Sequence, residues 1–260
     1  MNIPQFTRPP VVTRAKWLEA RRQLWLKERA ATHARDALNA ERRKLPLVRI
    51  DKDYRFEGPD GPLRLLDLFE GRPQLVVYHF MFHRDKGVGC EGCSFVIDNI
   101  PRLEHLHARG TTLAMISRAP LAEIAPFKAR MGWRLPWYSS FGSDFNYDFH
   151  VSIDENVAPV EYNYRDKAEL ERLGQTCHMQ GEQPGMSVFL RDGEEVFHSY
   201  STYGRGLEAV LTTYHLLDLT PLGRGEGWDG MADLDGKGLE WTRFHDEYDK
   251  AAPAHSCCES

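Results

Sequence analysis

Apolar positions along the chain fall into two kinds of pattern, and each predicts a kind of element. From Thr13 to about Lys44 the apolar residues are sparse and spaced. Trp17, Leu24, Ala31, Leu38 and Leu45 recur every seven residues, with Ala20, Trp25 and Ala34 beside them. One stripe on an otherwise charged segment predicts a long amphipathic helix. Thr13 is its expected N-cap, and Lys16 stands where a capping box would place Glu or Gln. Pro46 ends it. The stripe suits a surface helix packed on its own domain. A dimerisation arm is the alternative, although the second heptad position lacks the large residues of a coiled coil.

Beyond Pro46 the apolar residues come in dense short runs. Leu75 to Phe82 is continuous and predicts a central strand buried on both faces. Thr111 to Ile116 predicts a second such strand, and Trp137 to Ser139 a short third. Met186 to Leu190 and Glu195 to Tyr200 flank Asp192-Gly193, which predicts a hairpin. Helical patterns cover Cys90 to His107, Leu121 to Met131 and Leu207 to Leu217. Alternating strands and helices followed by an antiparallel hairpin predict an α/β fold with a mixed sheet.

Punctuation divides the chain further. Pro4, Pro9 and Pro10 mark an extended lead-in, and Gly58-Pro59-Asp60-Gly61 is a turn. Residues 1–46 form a helical arm and 47–220 the α/β domain, with an irregular insertion at 152–184. Residues 221–260 form a C-terminal extension with Trp228 and Trp241 as docking points and a mobile end from about Ala251.

Composition narrows the function classes. The 260 residues carry 42% hydrophobic and 27% charged residues, an ordinary globular balance. A formal net charge of −5 argues against a nucleic-acid-binding surface. No apolar run reaches membrane-span length. The start, Met1-Asn2-Ile3-Pro4-Gln5-Phe6, lacks the basic and apolar regions of a signal peptide, so the expected location is cytoplasmic. The five cysteines, Cys90, Cys93, Cys177, Cys257 and Cys258, are too few and odd in number for a disulfide framework.

Cys90-Glu91-Gly92-Cys93 carries the candidate chemistry. It follows a buried strand and opens a helix. A helix N-terminus favours a thiolate, the reactive form of cysteine. Two intervening residues let the second sulfur meet the first within one helical turn. Cys90 is the expected nucleophile toward a disulfide and Cys93 the resolving thiol. Glu91 opposes Cys90 ionisation by like-charge repulsion, which predicts a reductant-like centre. A zinc site needs two further ligands, and neither Cys177-His178 nor Cys257-Cys258 has familiar spacing. No nucleotide-binding fingerprint is present, so no organic cofactor is expected and no metal is assigned.

Longer stretches resemble a known family. Tyr78-His79-Phe80-Met81-Phe82, Gly89-Cys90-Glu91-Gly92-Cys93-Ser94-Phe95, Ser117-Arg118-Ala119-Pro120-Leu121 and Ser139 to His150 resemble the bacterial "domain of unknown function 899" family. So do Phe197 to Tyr203 and His245-Asp246-Glu247-Tyr248. The resemblance covers roughly residues 10 to 250. It implies a thioredoxin-like fold and a dithiol–disulfide oxidoreductase. Familiar thioredoxins have Gly-Pro between the cysteines and Trp before them; here stand Glu91-Gly92 and Gly89. Their cis-proline has its nearest counterpart in Pro184, a weak match because Met186 takes the place just before the strand serine.

The long loop from Val76 to Cys90 also resembles the peroxiredoxin layout. A peroxide reductase using the same cysteines is therefore the alternative, with Gly87 where peroxiredoxins have Thr. A non-enzymatic metal-binding protein of the same fold is a second alternative. His83, at the strand end, is a candidate base for Cys90, and Arg118 a candidate cation. His79, mid-strand, reads as a buried hydrogen-bonded histidine. Tyr78 and Tyr203 read as core or rim. The aromatic Phe141 to His150 segment either walls a pocket or packs a loop, and Asp144 and Asp148 read as capping or turn residues. Expected partners are a disulfide or peroxide substrate, a thiol reductant such as thioredoxin or glutathione, and a second copy as a candidate homodimer.

Overall fold

Thr13 caps helix α1, Arg14–Arg42, its hydroxyl accepting from the Lys16 amide at 3.4 Å. The computed structural model describes residues 8–224 and 241–248. Trp228, Cys257, Cys258 and the tail from Ala251 lie outside the described residues. The chain divides into two compact units, residues 1–47 and 48–260. In the first, no residue of α1 is buried, and Trp17, Leu24, Trp25 and Leu38 are exposed.

The second unit begins with β1 (Val48–Arg49), the hairpin β2 (Arg55–Gly58) and β3 (Gly61–Arg64), and a 3-10 turn at Asp67–Phe69. Then come β4 (Gln74–His79), a small hairpin of β5 (Phe82–His83) and β6 (Val88–Gly89), and helices α2 (Glu91–Asp98) and α3 (Leu103–His107). Strand β7 (Thr111–Ser117), helix α4 (Leu121–Arg130), β8 (Trp137–Ser139) and α5 (Phe145–Asp148) follow. The segment 152–184 holds β9 (Ser152–Ile153), β10 (Glu161–Tyr162), β11 (Arg165–Asp166), α6 (Lys167–Arg172) and β12 (Gly181–Glu182). The unit ends with the hairpin β13 (Gly185–Asp192) and β14 (Glu195–Tyr203), a 3-10 segment Gly204–Val210 and α7 (Thr212–Leu217).

Eight strands form one sheet in the order β1-β14-β13-β4-β7-β8-β2-β3. Strand β4 is parallel to β7, antiparallel to β13, and β13 is antiparallel to β14. The central four, β14-β13-β4-β7, thus have only β13 reversed. With a helix following the first of them, this is a thioredoxin-like mixed sheet.

Register assigns the faces. Leu75, Val77 and His79 of β4 lie opposite Phe189, Ser187 and Gly185 of β13, while Tyr78 lies opposite Met186 and Met115. Because side chains alternate, these sets point to opposite faces. Leu75, Val77 and Phe189 join Phe145, Phe149 and Tyr162 in one core. Tyr78, Met115 and Met186 join both cysteines, Ile124 and Tyr214 in the other. Each fully buried aliphatic or aromatic side chain contributes about 1.5–3 kcal/mol to folding.

Three local expectations are corrected. The helix drawn from Cys90 to His107 is two helices, since Pro101 pushes Ile100 out of helical backbone. The strand drawn from Leu75 to Phe82 ends at His79, and Phe82 begins the small hairpin. The helix drawn from Leu207 to Leu217 is split into a 3-10 segment and α7.

Candidate active site

The backbone delivers Cys90 by a tight return. After β4 the Phe80 amide bonds the Ile116 carbonyl at 2.8 Å, and the Cys90 amide bonds the Met81 carbonyl at 3.0 Å. Phe82 and Gly89 pair across the small hairpin. Gly89 passes so close beneath two rings that a Cβ there would lie 2.6 Å from Phe80 and 2.7 Å from Phe127. Cys90 then takes the N-cap position of α2 with extended backbone, and its carbonyl accepts from the Ser94 amide at 2.9 Å and the Ser94 hydroxyl at 2.8 Å. Cys93 sits in the first turn. The helix N-terminus therefore stands at the carboxyl end of β4, where its amide groups favour a thiolate.

Both cysteines are thiols rather than a disulfide, and both are buried, at 2% and 1% exposure. They belong to the packed core that also holds Tyr78, Phe80, Phe95, Trp137 and Met186. The Tyr78 hydroxyl is buried and closes no hydrogen bond of full geometry, with the Cys93 sulfur as the neighbour whose hydrogen bonding acts on it. Burial raises its pKa well above 10, and the neighbouring Cys93 and then Cys90 sulfurs raise it further.

Residues 241–248 strap across α2 and α4. Trp241 meets Phe95 edge-on at 5.5 Å and Phe244 meets Phe127 at 5.4 Å. His245 Nδ1 lies 2.9 Å from Asp98, which also accepts from the Trp133 indole at 2.8 Å. Arg130 holds Asp246 at 2.9 Å and Glu247 at 2.7 Å. The strap also buries the Trp241 indole nitrogen and the Thr242 hydroxyl without partners.

Of the other candidate residues, only Glu91 joins the thiols. It is the first residue of α2, and its charge also raises the Tyr248 phenol pKa. His83 lies on β5, where burial and Lys86 lower its pKa against Asp85, and neither cysteine is among the groups acting on it. Arg118 turns to a different place. It pairs with Glu182 at 3.2 Å, stacks on Tyr147 at 4.7 Å and borders an open pocket of about 550 Å³ that neither cysteine lines. Ser152 donates to Glu182 at 2.7 Å, and burial raises the Glu182 pKa. Pro184 precedes Gly185, the β13 partner of His79, and its carbonyl accepts from the Tyr162 hydroxyl at 2.8 Å. No peptide bond among the described residues is cis, so the bond to Pro184 is trans.

The opposite face of β4 holds a polar chain. His79 Nε2 lies 2.9 Å from Ser187 Oγ, Ser187 lies 2.8 Å from Ser201 Oγ, and Ser201 lies 2.8 Å from His198 Nε2. A bulge after His198 makes this possible. The register shifts between Val188 and Phe189, so His198 and Ser201 come to share one face. Burial lowers the His79 pKa to about 3, with His198 adding to the effect.

Within the aromatic segment, Phe145 and Phe149 pack beside His79, Tyr147 borders the Arg118 pocket and Phe141 is exposed beneath Arg84. Asp148 accepts from Tyr54 and Lys52, both at 2.6 Å. Among the described residues no group of three or more His, Cys, Asp or Glu side chains is placed to hold a metal ion. His178 instead stacks on Tyr162 at 4.7 Å and pairs with Gln183 at 2.7 Å. No helix among the described residues is long and apolar enough to cross a membrane.

By sequence Tyr78 reads as core or rim. The signal that places it was present: by alternation it shares a face with Phe80 rather than His79. The Arg118–Glu182 pair and the serine bridge had no comparable signal.

A family model described as "Bacterial protein of unknown function (DUF899)" matches residues 6–248. No curated protein matches the chain. Among solved structures, a Xanthomonas campestris peroxiredoxin Q is 15% identical, covering 66% of this chain and 98% of that one, with a TM-score of 0.41. The peroxidoxin BcpB of Mycobacterium tuberculosis is 16% identical, covering 66% and 96%, with a TM-score of 0.37. A secreted M. tuberculosis disulfide oxidoreductase, described as homologous to E. coli DsbE, is 11% identical, covering 62% and 92%, with a TM-score of 0.28.

Proposed function

The chain belongs to this bacterial family, DUF899, and on that premise we propose that it is a thiol–disulfide oxidoreductase working through Cys90 and Cys93. One observation carries the reading: two reduced thiols share the first turn of α2 at the carboxyl end of β4, with Cys90 at the N-cap. The Cys90 thiolate attacks one sulfur of a substrate disulfide, forming a mixed disulfide and releasing the other sulfur as a thiolate. The Cys93 thiolate then attacks Cys90 Sγ. The Cys90–Cys93 disulfide forms, the second substrate thiol leaves, and two electrons have passed to the substrate. A thiol reductant of the thioredoxin or glutathione class restores the dithiol.

Glu91 beside Cys90 makes thiolate formation harder and the centre reducing. His83, Arg118 and Pro184 stand outside this step. Pro184 shapes the rim through Gly185, and Arg118 serves the neighbouring pocket. With both sulfurs buried, a bulky disulfide gains access when the strap opens. A cytoplasmic location suits a centre that must be kept reduced.

That same burial favours one second reading, a peroxide reductase, because a small oxidant needs little opening. The Cys90 thiolate would take one peroxide oxygen as sulfenic acid, releasing water or an alcohol, and Cys93 would condense with it, releasing water. Wild type, Cys90→Ser and Cys93→Ser compared in disulfide-reduction and peroxide-consumption assays decide between the two. Fast peroxide turnover with disulfides ignored would give the second reading the field. Stoichiometric metal retained by a protein inactive in both assays would remove both.

A further inference from the structure

Three reactive or polar groups share the buried core on one face of β4: the Cys90 and Cys93 thiols and the Tyr78 hydroxyl. Tyr78 is wholly buried, and its hydroxyl closes no hydrogen bond of full geometry, the Cys93 sulfur being the one group whose hydrogen bonding acts on it. A buried hydroxyl without a full partner is a standing cost to folding. Phenylalanine would fill the same space between Phe80 and Met115 without that cost. The resting protein therefore carries a donor that its neighbour Cys93 satisfies only in part.

Turnover changes one neighbour. Under the function proposed above, Cys93 must become a thiolate inside a core whose side chains are largely aromatic and aliphatic. An anion there needs a donor. We infer that Tyr78 is the positioning residue for Cys93: its O–H donates to the Cys93 thiolate and holds it for attack on Cys90. The hydroxyl, satisfied only in part at rest, is then fully satisfied during resolution. The Cys93 proton leaves to water beforehand, and Tyr78 keeps its own. The Cys93–Cys90 bond forms as the Cys90–substrate bond breaks, and the substrate sulfur departs with the electron pair. Burial holds Tyr78 protonated, and so a donor, across the physiological range.

Tyr78→Phe tests this with readouts that a packing role would not move. The first exchange, formation of the Cys90 mixed disulfide, keeps its rate. The resolving step slows by about tenfold to a hundredfold, the range for a hydrogen bond to a charged group, so the mixed disulfide accumulates. The pH at which resolution is half-maximal moves upward by about one to two units. The melting temperature stays level or rises, because an unsatisfied group has been removed. An unchanged resolving rate and pH profile overturn the inference. So does a Tyr78→Phe protein that melts well below wild type, since that would mean the resting hydroxyl already has a full partner. Titration of Cys93 by NMR, in Cys90→Ser and in Cys90→Ser/Tyr78→Phe, needs no substrate. It decides the hydrogen bond even if wild type fails to exchange disulfides, which would sink only the proposed function.

Discussion

Tyr78 and His79 are neighbours on β4, both buried to 1% exposure or less, yet they face different worlds. His79 looks into a closed polar chain. Two serines link its Nε2 to His198, and aromatic rings stack against it. Tyr78 looks at two thiols, and its hydroxyl closes no hydrogen bond of full geometry with either. Each residue carries one polar atom without a full partner, the hydroxyl of Tyr78 and Nδ1 of His79. The difference lies in what stands next to them. Nothing around His79 changes charge during the proposed reaction, whereas Cys93 does. One face of the strand is organised for a fixed structure and the other for a change of state.

The sharpest way to break this contrast is Cys90→Ser. It should lower turnover by on the order of a thousandfold or more in the assay that wild type responds to, with the fold intact. Comparable activity in this variant would move the chemistry away from the thiol face. Cys93→Ser should retain a first exchange but stop there, with the substrate trapped on Cys90 and visible by mass spectrometry. A freely turning-over Cys93→Ser protein would mean that resolution is supplied from outside.

Stability reads the two faces separately. Gly89→Ala places a methyl group 2.6–2.7 Å from the Phe80 and Phe127 rings, and overpacking of this kind costs about 1–3 kcal/mol. Chemical denaturation should show that loss together with a displaced Cys90. A neutral result would mean that both rings give way easily.

The His79 face predicts a pH dependence. Its folded pKa is depressed from 6.5 to about 3. Below 6.5 the unfolded chain takes up a proton that the folded protein refuses, so stability falls as pH falls. The slope is about 1.4 kcal/mol per pH unit, and it levels off below the folded value. His79→Gln, which keeps a polar group near Ser187, should flatten this slope between pH 6.5 and about 3. An identical slope in that variant would assign acid sensitivity elsewhere.

The segments that were legible in the sequence are those whose signals are local. Thr13 as N-cap, the Asp192-Gly193 turn and the apolar runs of β4 and β7 needed no partner to be read. Pro101 shows a local signal passed over: it lay inside an apolar helical pattern and still broke the helix. The 152–184 segment was opaque for another reason. Its strands are two residues long and exist only because β9 pairs with β12 and β10 with β11. The bulge near His198 was hidden too, since it appears only in the mismatch between two strands.

By itself the sequence determined that two cysteines one helical turn apart would follow a buried strand, because spacing and strand-to-helix succession are properties of consecutive residues. Only the tertiary structure decided what surrounds them. It put Tyr78 and Cys93 into one core and turned Arg118 to Glu182, 64 residues away. It laid residues 241–248 across α2. Those choices depend on which distant segments meet, and periodicity along one strand or helix carries the face a residue occupies but not the partner it finds there.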